Sequence, residues 1–337
     1  MDLRLERTLG QSRRHMPSAP SEDGTSSALV SVLIITWNRR EDVLGAVHSV
    51  YEQDYRSIEI IVVDNGSTDG TLVAIGEAFP EVKTIRLEGN LGVSVARNLG
   101  IEAASGEIVF CLDSDAQLGT HTLSAVVHRF EIQPQAGIIN SRILDPHTKE
   151  LASGPGWVYS DRQRAHQNEV FASWSFSEGG AAIRREVVEK VGPFWERLYF
   201  GCEGQDLSLR ALDAGFITIY DPDSVVYHKM SHRSRIDGAR RERFSLESTL
   251  SIYLVRYPWW MFLLLAPLRI GAVMIRAIRR GYTRAFMAGL RQIALSAPQL
   301  LRERRAIRWE TAINYLHLQM KHGPLSWDLA SWIRNKT

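Results

Sequence analysis

The sequence predicts an α/β fold built on an open, mostly parallel sheet. Apolar segments of strand length alternate with segments of helical periodicity through the first part of the chain, and the connections between them are short. Polar residues follow each of these apolar segments. Ligands bind outside the carboxyl ends of the strands in such sheets, so the sequence predicts one binding crevice at that edge.

The first predicted strand is LVSVLIITWN, a nearly continuous apolar run of the kind expected for a strand buried on both faces. Asn38 follows it, with Glu41 three residues later, a capping-box spacing that predicts the start of a helix. Val43, Val47 and Val50 then recur at helical spacing. The first βα unit therefore ends its strand in polar residues.

Three further strands follow in the same way. IEIIVVD precedes a helix that must end by Pro80, VKTIRL precedes a helix from Val93 to about Ala104, and EIVFCLD comes last. The polar residues that these strand ends bring to one crevice are Thr36, Asn38, Asp64, Asn65, Asn90, Asp113 and Asp115.

The next part of the chain is less regular. AGIINSRIL indicates a strand, and residues 145–177 form a polar, aromatic-containing segment that we expect to be a loop. SEGGAAIRREVVEKVGPF predicts a strand and a short helix that stops at Gly192, and GCEGQDLSLRALDAGF predicts a helix that ends at Gly215. FITIYDPDSVVYHKMSH predicts one or two short strands.

The composition changes from Arg240 onward. The segment YPWWMFLLLAPLRIGAVMI is strongly apolar, but Pro258, Pro267 and Arg269 interrupt it, so we expect less than a clean membrane-spanning helix of ~20 apolar residues. Arginines recur after it, a pattern that suits an interfacial helix on anionic lipid. A helical lid or a dimer interface is the alternative.

The overall composition excludes several classes. The 337 residues are 45% apolar and 23% charged, as in ordinary globular proteins, and the net charge of +2 does not call for a nucleic acid partner. The two cysteines cannot form a disulfide framework, which fits a reducing compartment. Residues 1–28 are rich in Ser, Pro, Gly and charge, and they predict a disordered leader.

The pair Asp113 and Asp115 at the end of a buried strand requires an explanation, because two neighbouring carboxylates repel each other. A divalent cation removes that repulsion, and carboxylate oxygens suit Mg²⁺ or Mn²⁺, which proteins usually share with substrate phosphates. A solvated loop is the alternative. The predicted parallel sheet favours the metal site.

These segments resemble glycosyltransferase family 2. VSVLIITWNRREDVLGAVHSVYEQDYRSIEIIVVDNGSTDGT is similar to the opening of the family, and NLGVSVARNLGIEAASGEIVFCLDSDA to its continuation up to an Asp-x-Asp motif. GGAAIRREVVEKVGPF and GQDLSLRALDAGF resemble its acceptor-side segments, so that the likeness covers roughly residues 30–232. It implies a GT-A fold, a nucleotide-sugar donor, a divalent metal and inversion at the anomeric carbon.

The resemblance also implies roles for single residues and a division of the chain. A GT-A domain over residues 29–235 would precede a helical, membrane-associated region over 236–337. The residues implied to hold the donor are Thr36, Asn38, Arg39, Asp64, Asn65, Asn90, Arg97, Asp113, Ser114, Gly179 and Gly180. Those implied to hold the metal are Asp113, Asp115 and His228.

The catalytic base is where the sequence departs from the family. Many members carry Glu-Asp-x-Asp before the acceptor-side helix, whereas this chain carries Glu203, Gly204, Gln205 and Asp206. Glu203 is therefore the first candidate for the base and Asp206 the second, and a lost activity is the alternative. Two tryptophans, Trp174 and Trp157, are candidates for stacking on a sugar or for the core.

The predicted function is transfer of a sugar from a nucleotide diphosphate donor to a hydroxyl of a glycan or lipid-linked acceptor, in cell-surface glycan synthesis. We expect it at the cytoplasmic face of the membrane, peripherally bound, with a homodimer as a further option. Two rivals stay open. One is transfer to polyprenyl phosphate, which needs no strong base, and the other is a non-catalytic scaffold that binds nucleotide sugars.

Overall fold

The computed structural model of the protein describes residues 28–152, 158–159, 161–199, 201–229 and 237–322. Residues 1–27, which make up nearly all of the predicted leader, lie outside the described residues, and so does Trp157.

The described residues contain nine β-strands in a single sheet. In chain order they are β1 (Val30–Thr36), β2 (Ile58–Asp64), β3 (Lys83–Arg86), β4 (Ile108–Asp113), β5 (Ala116–Leu118), β6 (Ala136–Leu144), β7 (Phe171–Ser173), β8 (Gly180–Arg184) and β9 (Ile217–His228). Their spatial order is β3-β2-β1-β4-β8-β6-β9-β5, and β7 pairs with β9. β1 to β4 are mutually parallel and β8 is antiparallel to β4 and β6, so the predicted α/β sheet is confirmed.

The parallel register explains why polar residues meet at one edge. β1 and β2 pair so that Thr36 lies opposite Asp64, and β1 and β4 pair so that Ile35 lies opposite Asp113. The apolar parts of these strands are buried, with helices on both faces of the sheet. The polar ends of these strands therefore lie together at one edge of the sheet.

Ten α-helices accompany the sheet in the described part of the chain. They are α1 (Arg40–Tyr51), α2 (Thr71–Ala78), α3 (Val93–Ala103), α4 (Thr122–Ile132), α5 (Arg185–Val191), α6 (Glu203–Asp213), α7 (Gly238–Arg256), α8 (Trp259–Arg280), α9 (Thr283–Arg302) and α10 (Trp309–Lys321). The predicted capping box is wrong, because α1 starts after Arg39 with no side-chain cap. Asn38 instead has a left-handed backbone, with φ of 52°.

Several local elements differ from the expectations. β5 and α4 follow Asp115 where no element was predicted, and the expected loop 145–177 contains a short 3₁₀ helix (Asp161–His166) and β7. The last predicted strand or strands are one strand of 12 residues, β9, which pairs with β6 on both sides of an irregularity after Ser141. This irregularity lets one strand serve two registers.

The C-terminal helices share a hydrophobic core with the sheet. One buried cluster contains Phe171, Trp174 and Tyr220 together with Tyr257 and Tyr315 of the helical region. The division at residue 235 therefore stays a prediction, since apolar packing is continuous across it.

The expected interruption of the apolar segment is wrong, because the segment forms one continuous helix, α8. It runs through Pro267 for 22 residues and is, by length and composition, the described helix that could cross a membrane. Only 28% of its most apolar window is buried. Pro267 lies inside the helix and has no N–H, so the backbone hydrogen bond to the Leu263 carbonyl is missing there.

Candidate functional site

The predicted metal ligands come together through β5. Asp115 immediately precedes β5, and Ala116 of β5 pairs with His228, the last residue of β9. Asp113 ends β4. A short strand that reverses direction after the two acids thus places a histidine from far along the chain beside them.

The donor atoms of these three side chains are close together. The Nε2 atom of His228 lies 3.1 Å from Asp115 Oδ1 and 4.0 Å from Asp113 Oδ2, and one ligand atom from each residue falls within 4.8 Å of the others. Two carboxylates and an imidazole suit Mn²⁺ or Mg²⁺, so the residues present fit the implied cation. Burial lowers the pKa of His228, but the hydrogen bond to Asp115 and the charges of both aspartates outweigh it and leave that pKa raised.

Two arginines approach the same carboxylates. Arg39 places a guanidinium nitrogen 2.5 Å from Asp115 Oδ2, and Arg97, on α3, lies 3.5 Å from Asp113 Oδ1. Arg97 is only 5% exposed. Burial disfavours its charge, but Glu178 and Asp113 more than offset that cost and raise its pKa. The crevice therefore holds two cations beside the acidic cluster, a charge pattern that suits a diphosphate.

The ends of β1 and β2 form the far side of the crevice. Asp64 is buried and its Oδ1 accepts the Ser67 N–H at 3.0 Å. The Asn38 N–H donates to Ser67 Oγ, and Asn38 Oδ1 accepts the Thr68 N–H, both at 2.8 Å. Thr36 Oγ1 is buried with no partner among the described residues, so it can still bind a ligand. Asn38 thus links the two loops rather than capping α1.

Asn65 and Asn90 hold the loop after β3. The Nδ2 of Asn65 donates to Asn90 Oδ1 and to the Gly92 carbonyl, both at 3.2 Å, and its Oδ1 accepts the Leu91 N–H at 2.9 Å. These bonds shape the loop that leads into α3. The predicted donor contacts of the two asparagines stay predictions.

The floor of the crevice is lined by glycine. A Cβ added at Gly179 would collide with the Asp113 carboxylate, and the Asp113 N–H donates to the Gly179 carbonyl. Gly180 pairs with Leu112 of β4, and Ser114 between the two acids is buried. The backbone before β8 therefore lies directly against the acidic cluster, as glycine alone allows.

The two candidates for the catalytic base have different surroundings. Glu203 is the first residue of α6, and its Oε1 accepts the Gly201 N–H at 2.8 Å. Burial and the neighbouring charge of Glu178 raise the pKa of Glu203 to about 8.

Both carboxylate oxygens of Asp206 are paired with arginines, which argues against Asp206 as the catalytic base. Its Oδ2 accepts a hydrogen bond from Arg210 and its Oδ1 one from Arg256, both at 2.8 Å, and its side chain is completely buried. A carboxylate in this setting is a structural ion pair that ties α6 to α7. Glu203 is thus the better placed of the two.

A cavity of about 150 Å³ lies between α7, α9 and the segment before α6. Its lining contains serine, glutamine and aromatic side chains: Arg197, Tyr199, Phe244, Glu247, Ser248, Ser251, Gln292, Ile293 and Ser296. Tyr199 also packs against Gly92 at the start of α3, where a Cβ would lie 2.8 Å from its ring. The cavity therefore adjoins the wall of the crevice.

The family comparison agrees with this geometry. The family model described as glycosyl transferase family 2 matches residues 31–192, which run from β1 through α5 and include both acids of the Asp-x-Asp pair. Residues 31–192 are a family 2 glycosyltransferase domain. His228, Glu203 and the helices α6 to α10 lie after the matched part.

Relatives of this family 2 protein cover parts of it. An uncharacterized glycosyltransferase of Nostoc sp. is 32% identical over 184 residues, which are 51% of this chain and 57% of that protein. The N-acetylglucosaminyl-diphospho-decaprenol L-rhamnosyltransferase of Mycobacterium tuberculosis is 28% identical over 249 residues, 64% of this chain and 79% of that protein. The chain thus spans little more than half the length of the Nostoc relative.

A solved structure resembles nearly the whole chain. The mannosyltransferase PcManGT from Pyrobaculum calidifontis, in complex with GDP-Man and Mn²⁺, is 22% identical and superposes with a TM-score of 0.54 over 97% of this chain and 94% of that one. The fold is therefore GT-A with C-terminal helices, as the resemblance implied.

Sequence reasoning missed part of the surroundings of the site. The sequence analysis did not predict the ion pairs of Asp206 with Arg210 and Arg256. Asp206 and Arg210 are four residues apart on a predicted helix, and this spacing could have indicated their ion pair. Trp174 lies in the core, 6.4 Å from Tyr315 between ring centroids, so the stacking role considered for it is wrong.

Proposed function

We propose that this family 2 protein transfers a sugar from a nucleotide diphosphate-sugar to a hydroxyl of a glycan or lipid-linked acceptor, with inversion at the anomeric carbon. The observation that carries the proposal is the cluster of Asp113, Asp115 and His228, with Arg39 and Arg97 on its two carboxylates. Acids, an imidazole and two cations at the carboxyl ends of parallel strands suit a diphosphate with a divalent cation.

The donor lies along the strand ends in this proposal. Asp64 and Thr36 meet the nucleoside, and Arg39 and Arg97 turn towards the diphosphate oxygens. Asp113, Asp115 and His228 would hold Mn²⁺ or Mg²⁺, which would supply Lewis-acid stabilisation of the charge on the departing diphosphate. The glycine backbone at residue 179 lies against Asp113, so no side chain from this position separates β8 from the acids.

Glu203 accepts the proton of the acceptor hydroxyl. A pKa of about 8 gives this carboxylate enough basicity to take a proton near neutral pH, unlike an ordinary surface glutamate. The hydroxyl oxygen bonds to the anomeric carbon on the face opposite the diphosphate, and the bond between the anomeric carbon and the diphosphate oxygen breaks with its electron pair on the diphosphate. By analogy with glycoside hydrolysis, the transition state is oxocarbenium-like.

The C-terminal region supports an acceptor at a membrane surface. Helix α8 turns one apolar face into the core and exposes Leu263, Leu264, Leu268 and Ile278 on another. Exposed arginines lie in its last turn and after it: Arg279, Arg280, Arg284 and Arg291. Apolar side chains with neighbouring cations suit peripheral binding to anionic lipid at the cytoplasmic face. The mycobacterial relative is named for a lipid-linked acceptor, which agrees with this proposal.

A nucleotide screen tests the proposal. Thermal shifts of the wild type and of Asp115→Ala are measured with UDP, GDP and dTDP, each with and without Mn²⁺, because a ligand that binds only the folded state raises the melting temperature. We expect one diphosphate to stabilise only the wild type and only with Mn²⁺, and its sugar derivatives to be turned over. Stabilisation by a diphosphate without turnover of any of its sugar derivatives would favour the non-catalytic scaffold, and no response from a folded protein would overturn the proposal.

The chemistry of the product separates the two enzymatic candidates. A sugar joined to polyprenyl phosphate is released by mild acid, whereas a glycosidic bond to a hydroxyl survives it. An acid-labile product would therefore replace hydroxyl transfer by the polyprenyl-phosphate reaction.

A further inference from the structure

The missing side chain at position 204 leaves a space that another acid fills. The N–H of Gly204 donates a hydrogen bond to Glu178 Oε1. A Cβ added at Gly204 would collide with the Phe176 carbonyl oxygen and lie 2.7 Å from the same Glu178 oxygen. The Glu178 carboxylate therefore occupies the space that a side chain at position 204 would need.

The position of Glu178 in the chain connects the two halves of the site. Gly179, the next residue, lies against Asp113 of the acidic cluster, and Gly204 follows Glu203 on α6. Glu178 thus spans from the acidic cluster to the amino terminus of α6. It is partly exposed, whereas Glu203 is only 3% exposed, so Glu178 is the more accessible of the two carboxylates.

The surroundings of Glu178 act on its charge in opposite directions. Burial raises the pKa of this carboxyl, and the charge of Arg97 opposes the rise without cancelling it. The Gly204 N–H that it accepts lies in the first turn of α6, where the helix dipole also favours negative charge. A carboxylate held by a backbone N–H through one oxygen keeps its second oxygen for a ligand.

We propose that Glu178 supplies the second carboxylate of the acceptor site, in place of the side chain that Gly204 lacks, and that it binds the acceptor hydroxyl beside Glu203. This inference rests on the proposed function. Glu178 accepts the hydrogen bond of the hydroxyl and orients it, while Glu203 takes the proton. The hydroxyl oxygen then bonds to the anomeric carbon, and the bond to the diphosphate breaks with its electron pair on the diphosphate.

A purely structural role is the alternative, because Glu178 also caps α6. Glu178→Gln separates the two roles: the amide oxygen still accepts the Gly204 N–H, but the charge is lost. Glu178→Ala removes both the cap and the charge. The comparison of the two variants therefore reports on the carboxylate itself.

The experiment measures hydrolysis of nucleotide sugars, with water as the acceptor, for the wild type and the variants. The probes are UDP-, GDP- and dTDP-sugars with Mn²⁺, and binding of the matching diphosphate is measured in parallel. We expect Glu178→Gln to bind the diphosphate and to melt like the wild type, but to lose about 100-fold in kcat, because a misplaced acceptor oxygen costs a factor of about this size. Glu203→Gln should lose a similar factor.

The outcomes are distinct. Wild-type kcat in Glu178→Gln, together with a lower melting temperature in Glu178→Ala, would overturn the inference and leave Glu178 as a helix cap. Diphosphate binding with no turnover by the wild type would overturn the proposed function and this inference with it. Gly204→Ala provides a second test, because its methyl group displaces Glu178 without removing the acid; wild-type kcat in this variant would contradict the proposal.

Discussion

His228 Nε2 lies 3.1 Å from Asp115 Oδ1, although the two residues are 113 positions apart. The contact depends on the antiparallel pairing of β5 with the end of β9, which sets Ala116 opposite His228. The other ring nitrogen, Nδ1, is buried with no partner among the described residues. The imidazole is thus fixed with one nitrogen on the acidic cluster.

This contact makes metal binding depend on pH. The pKa of His228 is raised above its usual 6.5, so the proton on Nε2 must leave before a cation binds there. We expect the affinity for Mn²⁺ to rise with pH through that raised pKa and then to level off. Titration of Mn²⁺ by calorimetry at several pH values between about 6 and 8.5 measures it.

One variant tests the pH effect and a second serves as its control. His228→Asn should bind Mn²⁺ more weakly and with a much flatter pH dependence. His121→Asn removes an exposed histidine, paired with Asp54 at 2.7 Å, and should leave both unchanged. An unaltered pH dependence in His228→Asn would exclude this histidine as a ligand.

Asp206→Asn should destabilise the protein. The substitution leaves Arg210 and Arg256 facing a neutral group in a buried site, and breaking such a pair costs about 3–5 kcal/mol. Urea unfolding measures the loss. Asp213→Asn is the matched control on the same helix, since its partner Arg308 is mostly exposed, and it should cost less than about 1 kcal/mol. Equal losses would mean that the buried pair contributes no more than a surface pair.

The sequence predicted the parallel half of the sheet and its strand-end residues because the signal there is local. A strand buried on both faces is an apolar run, and a polar residue marks its end, as for Thr36, Asp64 and Asp113. The register of parallel strands then brings these ends together without further information.

The remaining features depend on contacts between distant residues. Nothing in the local sequence indicates that Arg256 reaches Asp206, or that Glu178 enters the space at Gly204. The three-residue strand β5 is too short to have a periodicity. Asn38 has the sequence signature of a helix cap, but its side chain bonds to the neighbouring loop at Thr68 instead.

Glu203→Gln should stabilise the metal-free protein at high pH. The folded-state pKa of Glu203 is about 8, above its ordinary 4.5, so the protonated form stabilises the fold at low pH and this contribution is lost as pH rises through 8. A glutamine stays neutral and avoids the loss. We expect the variant to be more stable than the wild type by on the order of 3–5 kcal/mol at pH 9, with little difference at pH 4.5.

Urea unfolding at both pH values, in the presence of a chelator, tests this expectation. Glu189→Gln, at an exposed position on α5, is the control and should change little at either pH. A difference between Glu203→Gln and the wild type that is the same at both pH values would show that Glu203 does not titrate as its burial requires.

Charge on the exposed face of α8 should abolish membrane binding. Leu263 is 66% exposed and Leu268 is 65% exposed, so Leu263→Asp with Leu268→Asp changes the surface without opening the core. Flotation with vesicles that contain anionic lipid measures binding. We expect the wild type to float, the double variant to stay in solution, and Val73→Asp, an exposed substitution on α2, to float as the wild type does. High salt should weaken wild-type binding, because the arginines in the last turn of α8 and after it contribute through charge.

A different result would assign this face to a second copy of the chain: wild-type protein that does not float but forms a dimer, and a double variant that forms none.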